Sequence, residues 1–136
     1  MRISLDPGKT TGVAWRGFVN DPGEPRGIEW PGDDIVVVLD GFQVGYGIDE
    51  LVVENFRSRP GPAVNLSAPE VIGRVRAWAD ERGIVVVLQD ASPVKVRVTN
   101  DRLRAAGGWL RGQDHARDAL RHLLYREEQL GLIRLT

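Results

Sequence analysis

Two acidic residues, Asp6 and Glu54, stand at the ends of predicted β-strands. Asp6 closes the apolar segment Arg2–Asp6 just before a Pro-Gly turn, and Glu54 closes the segment Glu50–Glu54. Burying a carboxylate within an apolar sheet is costly unless another group pairs with its charge. A divalent cation removes this cost, and Mg²⁺ prefers oxygen ligands while keeping positions open for phosphate oxygens. The two strand ends therefore favour a metal site for phosphate chemistry.

A third group of candidate ligands lies at the start of the last predicted helix, Gln113–Leu130. At about 100° per residue, Asp114, His115 and Asp118 share one polar face of this helix. The face predicted to lie opposite is apolar and contains Ala116, Ala119 and Leu123. One helix end thus offers two carboxylates and an imidazole to a common site.

Each candidate also has an ordinary structural explanation. An Asp before Pro-Gly often bonds its own turn, and an Asp at a helix start often caps the helix or faces its dipole. Glu54 also fits an exposed strand end, and His115 fits a hydrogen-bonded surface or core histidine. Taken singly, each of these residues and Asp114 favours its ordinary role. As a set drawn from two strand ends and one helix start, they favour a metal site.

The elements that must position these residues alternate between strand and helix. We predict strands over Arg2–Asp6, Gly12–Phe18, Arg26–Trp30, Glu50–Glu54 and Ile84–Leu88, the last as a strand buried on both faces. We predict helices over Asp33–Phe42, Ser67–Arg82 and Gln113–Leu130, although Val36–Val38 within the first favours a strand. Residues 92–112 are basic and show no regular pattern. This order indicates a mixed α/β sheet.

Length and composition restrict the class of protein. The chain has 136 residues, a common size for one domain, and its lack of cysteine excludes disulfides and thiolate zinc sites. No apolar run reaches the ~18 residues of a membrane span, and the first residues do not form a signal peptide. We therefore expect a cytoplasmic protein without a membrane partner.

Several motifs for other chemistries are incomplete. Gly8-Lys9-Thr10 resembles the end of a P-loop, but Ile3 stands where that motif requires its first glycine. Gly45-Tyr46-Gly47 lacks the third glycine of a dinucleotide fingerprint, because Glu50 stands there. There is no Gly-x-Ser-x-Gly elbow of a serine hydrolase. We expect no nucleotide cofactor.

Three segments resemble the motifs of RuvC-type Holliday-junction resolvases, which belong to the RNase H-like superfamily. They are Ile3–Ala14, with its Asp-Pro-Gly, Leu51–Phe56, with its terminal Glu and nearby Phe, and Asp114–Leu120, with His115 three residues before Asp118. The resemblance covers nearly the whole chain, in order. It implies one domain, residues 1–136, with an α/β RNase H-like fold: a central mixed five-stranded sheet flanked by helices. The short chain is similar to a compact bacteriophage version.

The resemblance also implies a site of two Mg²⁺ or Mn²⁺ ions that assists phosphodiester hydrolysis. Its metal ligands and catalytic residues would be Asp6, Glu54, His115 and Asp118. Asp114 would replace His115 as a ligand or act behind it. Lys95, which resembles the Lys before the final helix of the family, would contact a phosphate or stabilise the transition state.

The implied substrate is branched DNA, above all the four-way junction. Residues 1–56 carry ten acidic and four basic side chains, net −6, whereas residues 57–111 carry five and ten, net +5. Bases of the second segment would contact the DNA backbone: Arg57, Arg59, Lys95, Arg97, Arg102 and Arg104. Phe56 would either stack on an opened base or belong to the core. Because resolvases cut two strands symmetrically, the resemblance implies a homodimer.

Two alternatives to junction resolution remain open. One is a related nuclease, either a YqgF-like RNase or a flap or general branched-DNA nuclease. The other is a non-catalytic nucleic-acid-binding module that keeps the fold. Cleavage assays on a junction, a flap and a linear duplex distinguish among them.

Overall fold

A five-stranded mixed sheet forms the centre of the computed structural model, which describes residues 1–17, 23–56 and 67–136. The strands are β1 (Arg2–Asp6), β2 (Thr10–Trp15), β3 (Arg26–Pro31), β4 (Glu50–Glu54) and β5 (Val85–Gln89). Their order across the sheet is β3-β2-β1-β4-β5. β1, β2 and β3 pair antiparallel as a meander, while β4 and β5 add parallel to β1. The carboxyl-terminal ends of the parallel strands β1, β4 and β5 therefore lie next to one another, at the edge of the sheet where these strands end.

Helices cover both faces of the sheet. They are α1 (Ile35–Tyr46), preceded by a 3₁₀ turn at Gly32–Asp34, α2 (Ser67–Arg82), α3 (Ala91–Arg97), α4 (Asn100–Ala105) and α5 (Asp114–Gln129). None of these helices combines the length and the apolar character needed to cross a membrane.

Two apolar cores lie on opposite faces of the sheet. The first joins side chains of β1 and β4, such as Leu5 and Val53, to α1 and α2, where Leu39 and Trp78 are buried. The second gathers the apolar residues of α5 around Ala14 of β2, together with Val98, Leu103 and Leu135. α5 is thus held between the sheet and the segment formed by α3 and α4, and this fixes the position of its first turn.

The predicted α/β architecture with a mixed five-stranded sheet is confirmed. The helix predicted over Asp33–Phe42 is also confirmed, because α1 covers most of it and buries Ile35 and Leu39. The second strand was predicted over Gly12–Phe18, but it begins two residues earlier, at Thr10, and ends at Trp15; Phe18 lies outside the described residues.

Two predictions about the second half of the chain are wrong. The strand predicted as buried on both faces, β5, is an edge strand of the sheet, and 60% of Val85 and 38% of Leu88 are exposed. Residues 92–112 are not irregular throughout, because they contain most of α3 and all of α4. These helices have seven and six residues, too few turns to produce a clear apolar period.

Candidate active site

Asp6 and Glu54 lie side by side because the parallel pairing of β1 and β4 places their last residues at the same edge. The register pairs Leu5 with Val53, so each acid stands one residue beyond a matched pair. Asp6 is only 7% exposed, and its carboxyl is hydrogen-bonded to that of Glu54. Thr11 closes the turn that follows Asp6, since its hydroxyl donates a 2.9 Å hydrogen bond to the Gly8 carbonyl.

Their surroundings move the pKa values of the two carboxyls in opposite directions. Burial, the hydrogen bond to Glu54 and the negative charges of Glu54 and Asp118 raise the pKa of Asp6 to about 9, despite the nearby positive charge of Lys95. Burial also acts to raise the pKa of Glu54, but hydrogen bonds from His122 and Asp6 outweigh it and lower this pKa to about 2. A neutral Asp6 therefore donates to an ionised Glu54 at neutral pH.

The first turn of α5 brings two further candidates to this pair. His115 Nδ1 lies 3.2 Å from Asp6 Oδ2, and the charge of Asp118 acts on Asp6. Asp118 is itself 3.4 Å from the guanidinium of Arg121, which also donates to the Val98 carbonyl and thereby ties α5 to the end of α3. Residues from β1, β4 and α5 thus converge on one site.

Asp114 does not face this site. Its exposed carboxylate pairs with Arg117, while the next residue, His115, contacts Asp6. Successive helical residues point about 100° apart, so both side chains cannot face Asp6. Of the two candidates that the sequence left open, the geometry brings His115 to the carboxylates.

The close approach of α5 to β2 depends on Gly12. A Cβ atom at this position would lie 1.9 Å from the His115 carbonyl oxygen, so any side chain would displace the first turn of α5. We expect Gly12→Ala to lower the free energy of unfolding by about 1–3 kcal/mol, as overpacking does, and to reduce any activity that needs His115 and Asp118. Chemical denaturation measures the first effect.

Gly41 of α1 provides the matched control for this prediction. It is exposed on a helix, and a Cβ there would meet no atom within 4 Å. Gly41→Ala is expected to raise stability by about 0.5–1 kcal/mol, because Ala loses less backbone entropy in a helix. Equal stability of the Gly12→Ala variant and the wild type would contradict the tight packing of α5 on β2.

The donor set suits a hard divalent cation. Asp6 and Glu54 repel each other strongly enough to retain a proton, and Asp118 adds a third negative charge. A cation that replaced the proton would offset this repulsion, and the available atoms are carboxylate oxygens and an imidazole nitrogen. Within residues 1–17, 23–56 and 67–136, no three Asp, Glu or His side chains are arranged so that they could hold a metal ion. Their side chains would have to rearrange around a bound cation.

A pocket of about 540 Å³ opens beside Glu54. Its walls include Pro7, Phe56, Asp90 and Lys95. The positive charge of Lys95 acts on both Asp6 and Glu54, although its side chain is exposed. The pocket therefore places an aromatic ring and a cation next to the carboxylate pair. Phe56 is half-buried in its wall and does not belong to either apolar core.

The basic residues predicted to contact DNA have different environments. Arg57 and Arg59 lie outside the described residues. Arg97 forms a two-pronged ion pair with Glu128 and also donates to the Leu135 carbonyl. These bonds attach the C-terminal segment to α3. A DNA phosphate would therefore have to compete with Glu128 for the Arg97 guanidinium.

Arg102 and Arg104 both lie on α4. Arg102 donates a 2.9 Å hydrogen bond to the Arg97 carbonyl. Arg104 is exposed and stacks on Trp109, with its guanidinium carbon 3.9 Å from the ring centroid. Arg117 lies 4.6 Å from the centroid of the same ring. Trp109 therefore gathers two cations close to the first turn of α5.

Solved structures with the same architecture come from bacterial and viral resolvases. A Thermus thermophilus RuvC bound to a Holliday junction superposes with a TM-score of 0.68 at 16% identity, covering 99% of this chain and 98% of that one. A second structure of Thermus thermophilus RuvC gives 0.64 at 17% identity, with 99% of both chains covered. The chain has the RuvC fold. The Fowlpox virus resolvase in complex with Holliday junction DNA gives 0.59 at 10% identity, covering 95% and 99%. No protein-family profile and no curated protein sequence matches.

On this RuvC fold, two residues that were not predicted from the sequence contact the carboxylate pair or its partners. His122 of α5 lies with its Nε2 atom 3.3 Å from Glu54 Oε1, and its Nδ1 atom is 2.9 Å from Gln89 Oε1. A signal was present, because residue 122 follows residue 115 by seven positions and returns to within about 20° of the same face. The prediction that the polar face of α5 lies opposite its apolar face is wrong, because the apolar residue Ala119 borders the polar face.

Proposed function

We propose that this chain is a metal-dependent endonuclease that resolves four-way DNA junctions by paired nicks. The observation that carries the proposal is that Asp6 and Glu54 lie together beside His115, with Asp118 close enough for its charge to act on Asp6. A divalent cation would offset the repulsion among these carboxylates. The fold around it spans the full length of chains whose structures hold Holliday junctions, one from a bacterium and one from a virus.

The residues have distinct roles in this proposal. Mg²⁺ or Mn²⁺ would be held by Asp6, Glu54, His115 and Asp118. A bound pair of such ions supplies an activated water and stabilises the leaving oxygen of the phosphodiester. Lys95 approaches from the pocket side and orients a phosphate oxygen towards the carboxylates. Asp118 is kept in place by Arg121, which anchors α5 to the end of α3.

The pocket next to Glu54 suits a nucleotide that has left its stack. Phe56 in its wall offers a ring face to a base, and base–aromatic stacking contributes about 1–3 kcal/mol without requiring a sequence. A branch point interrupts the continuous helix of a linear duplex, so its bases are easier to unstack. Phe56 therefore contributes to the choice of branched DNA, while Arg102 and Arg104 contact the backbone.

Paired nicks require two active sites, so the proposal includes a homodimer of this chain acting in the cytoplasm. Size-exclusion chromatography with light scattering, at the concentration used for cleavage, measures the oligomeric state. One active site per junction would yield single nicks instead.

Cleavage of labelled nucleic acids with Mg²⁺ or Mn²⁺ tests the function. We expect symmetric nicks in a four-way junction and at least tenfold slower cleavage of a flap, a linear duplex and an RNA of the same sequence. Preferred cleavage of RNA would instead indicate a YqgF-like RNase, and equal cleavage of flap and junction would indicate a general branched-DNA nuclease. Junction binding without cleavage under either metal would indicate a binding module.

A further inference from the structure

His122 is a buried histidine that the proposed chemistry does not use directly. It is 1% exposed and lies on α5 between the last residues of two neighbouring strands, Glu54 of β4 and Gln89 of β5. Its two ring nitrogens face these two side chains, at 3.3 Å and 2.9 Å respectively. A buried polar residue with both nitrogens engaged is held in one orientation.

The carboxylate of Glu54 determines which ring nitrogen of His122 carries a proton and how the Gln89 amide is turned. A carboxylate that serves as a metal ligand accepts hydrogen bonds, so the ring must present an N–H from Nε2. In a neutral ring, Nδ1 then accepts, which requires the Gln89 amide to be turned so that its NH₂ faces the ring. In a charged ring, Nδ1–H donates to the amide oxygen. Both arrangements place the Nε2–H bond on Glu54.

Metal binding makes this hydrogen bond more important. A carboxylate that binds a cation keeps its orientation through hydrogen bonds to the lone pairs that the cation does not use. Among the residues that the structure describes, His122 is placed to give Glu54 such a bond, because its Nε2 atom lies 3.3 Å from Glu54 Oε1. Because it engages Oε1, it leaves the other carboxylate oxygen free for the cation. Gln89 in turn prevents the ring from rotating away.

We propose that His122, held by Gln89, is a positioning residue that orients Glu54 as a metal ligand. The inference rests on the proposed function only in that Glu54 binds the metal. Partners of this kind behind a metal ligand typically change metal affinity or activity by about 10–100-fold when they are removed. His122 and Gln89 together would thus set the metal concentration at which the enzyme works.

A matched pair of variants tests this role. The amide NH₂ of Gln reaches approximately the position of Nε2, whereas that of the shorter Asn reaches only that of Nδ1. His122→Gln therefore keeps the donor to Glu54, while His122→Asn keeps only the contact with Gln89. We expect the Kd for Mn²⁺, measured by electron paramagnetic resonance without DNA, to rise about 10–100-fold in His122→Asn and less than threefold in His122→Gln. Thermal unfolding without metal identifies any variant that is not folded.

The outcomes separate this inference from the proposed function. If the wild type binds Mn²⁺ and Glu54→Gln weakens binding, the metal site stands. Equal Mn²⁺ affinity of folded His122→Asn and the wild type would then overturn the positioning role alone, as would equal loss in both His122 variants. If the wild type binds no Mn²⁺, the proposed function fails, and the inference fails with it. Saturating Mn²⁺ is expected to restore most of the cleavage rate of His122→Asn, which a disrupted fold would not allow.

Discussion

Replacing Asp6 by Asn is expected to abolish junction cleavage while leaving junction binding intact. The substitution removes the most buried carboxylate of the site and keeps its size and a hydrogen-bond donor to Glu54. Losing the charge that holds the cation removes several kcal/mol of transition-state stabilisation, or about 10³-fold or more in rate. Single-turnover cleavage with Mg²⁺ and a gel-shift assay in Ca²⁺ measure the two effects. Asp118→Asn is expected to behave in the same way.

Asp114→Asn is the matched control for this result. It makes the same chemical change on the same helix end as Asp118→Asn, but Asp114 is exposed and pairs with Arg117 away from Asp6. We expect its cleavage rate to stay within about threefold of the wild type. Cleavage by Asp6→Asn at a rate near that of the wild type would remove the basis for the proposed nuclease. Loss of cleavage in Asp114→Asn alone would reassign the ligand from His115 to Asp114.

Asp6→Asn is also expected to stabilise the metal-free protein. The pKa of Asp6 is raised from 3.8 to about 9, so the folded chain keeps a proton that the unfolded chain loses in this range. The stabilisation from this group is complete below about pH 4 and declines as the pH rises towards 9. Asn avoids this decline, so its advantage over Asp is expected to grow with pH by at most about 1.36 kcal/mol per pH unit. Denaturation with a chelator at pH 6 and pH 9 measures it.

Metal binding is expected to release about one proton at neutral pH. The shared proton of Asp6 and Glu54 occupies the place that the cation needs, and the raised pKa of Asp6 keeps it bound until about pH 9. The apparent Kd for Mn²⁺ should therefore fall about tenfold per pH unit between about pH 7 and 8.5, which corresponds to 1.36 kcal/mol per unit. Cleavage at low metal concentration should rise with pH in parallel.

Calorimetry in two buffers of different ionisation enthalpy measures this proton directly. The heat of Mn²⁺ binding should differ between the buffers by the difference in their ionisation enthalpies, multiplied by the one proton released. The Asp6→Asn variant provides the control, because its amide has no proton to release in this range. A buffer-independent heat for the wild type would show that the carboxylates are already ionised before the metal binds.

Local patterns in the sequence were sufficient to locate most of the site. Asp6 and Glu54 each end an apolar strand, and parallel strands place their carboxyl ends at one edge. His115 and Asp118 open a strongly amphipathic helix. Such patterns reveal where an element ends and which side chains share a face, because the periods of helix and strand depend only on the backbone.

Other features depended on which elements meet in space. The choice between Asp114 and His115 followed from the rotation of α5 against β2, which the missing side chain at Gly12 permits. The exposure of β5 followed from its place at the edge of the sheet, which its own residues do not specify.

By itself, the sequence determined the fold class, the acidic strand ends and the helix that faces them. Only the tertiary structure decided that Glu54 acts on the pKa of Asp6 and that His122 contacts Glu54. The physical reason is that pKa values and hydrogen bonds depend on burial and on atoms within a few ångströms. Gln89 and His122, which are 33 residues apart, become neighbours only when α5 packs across the sheet.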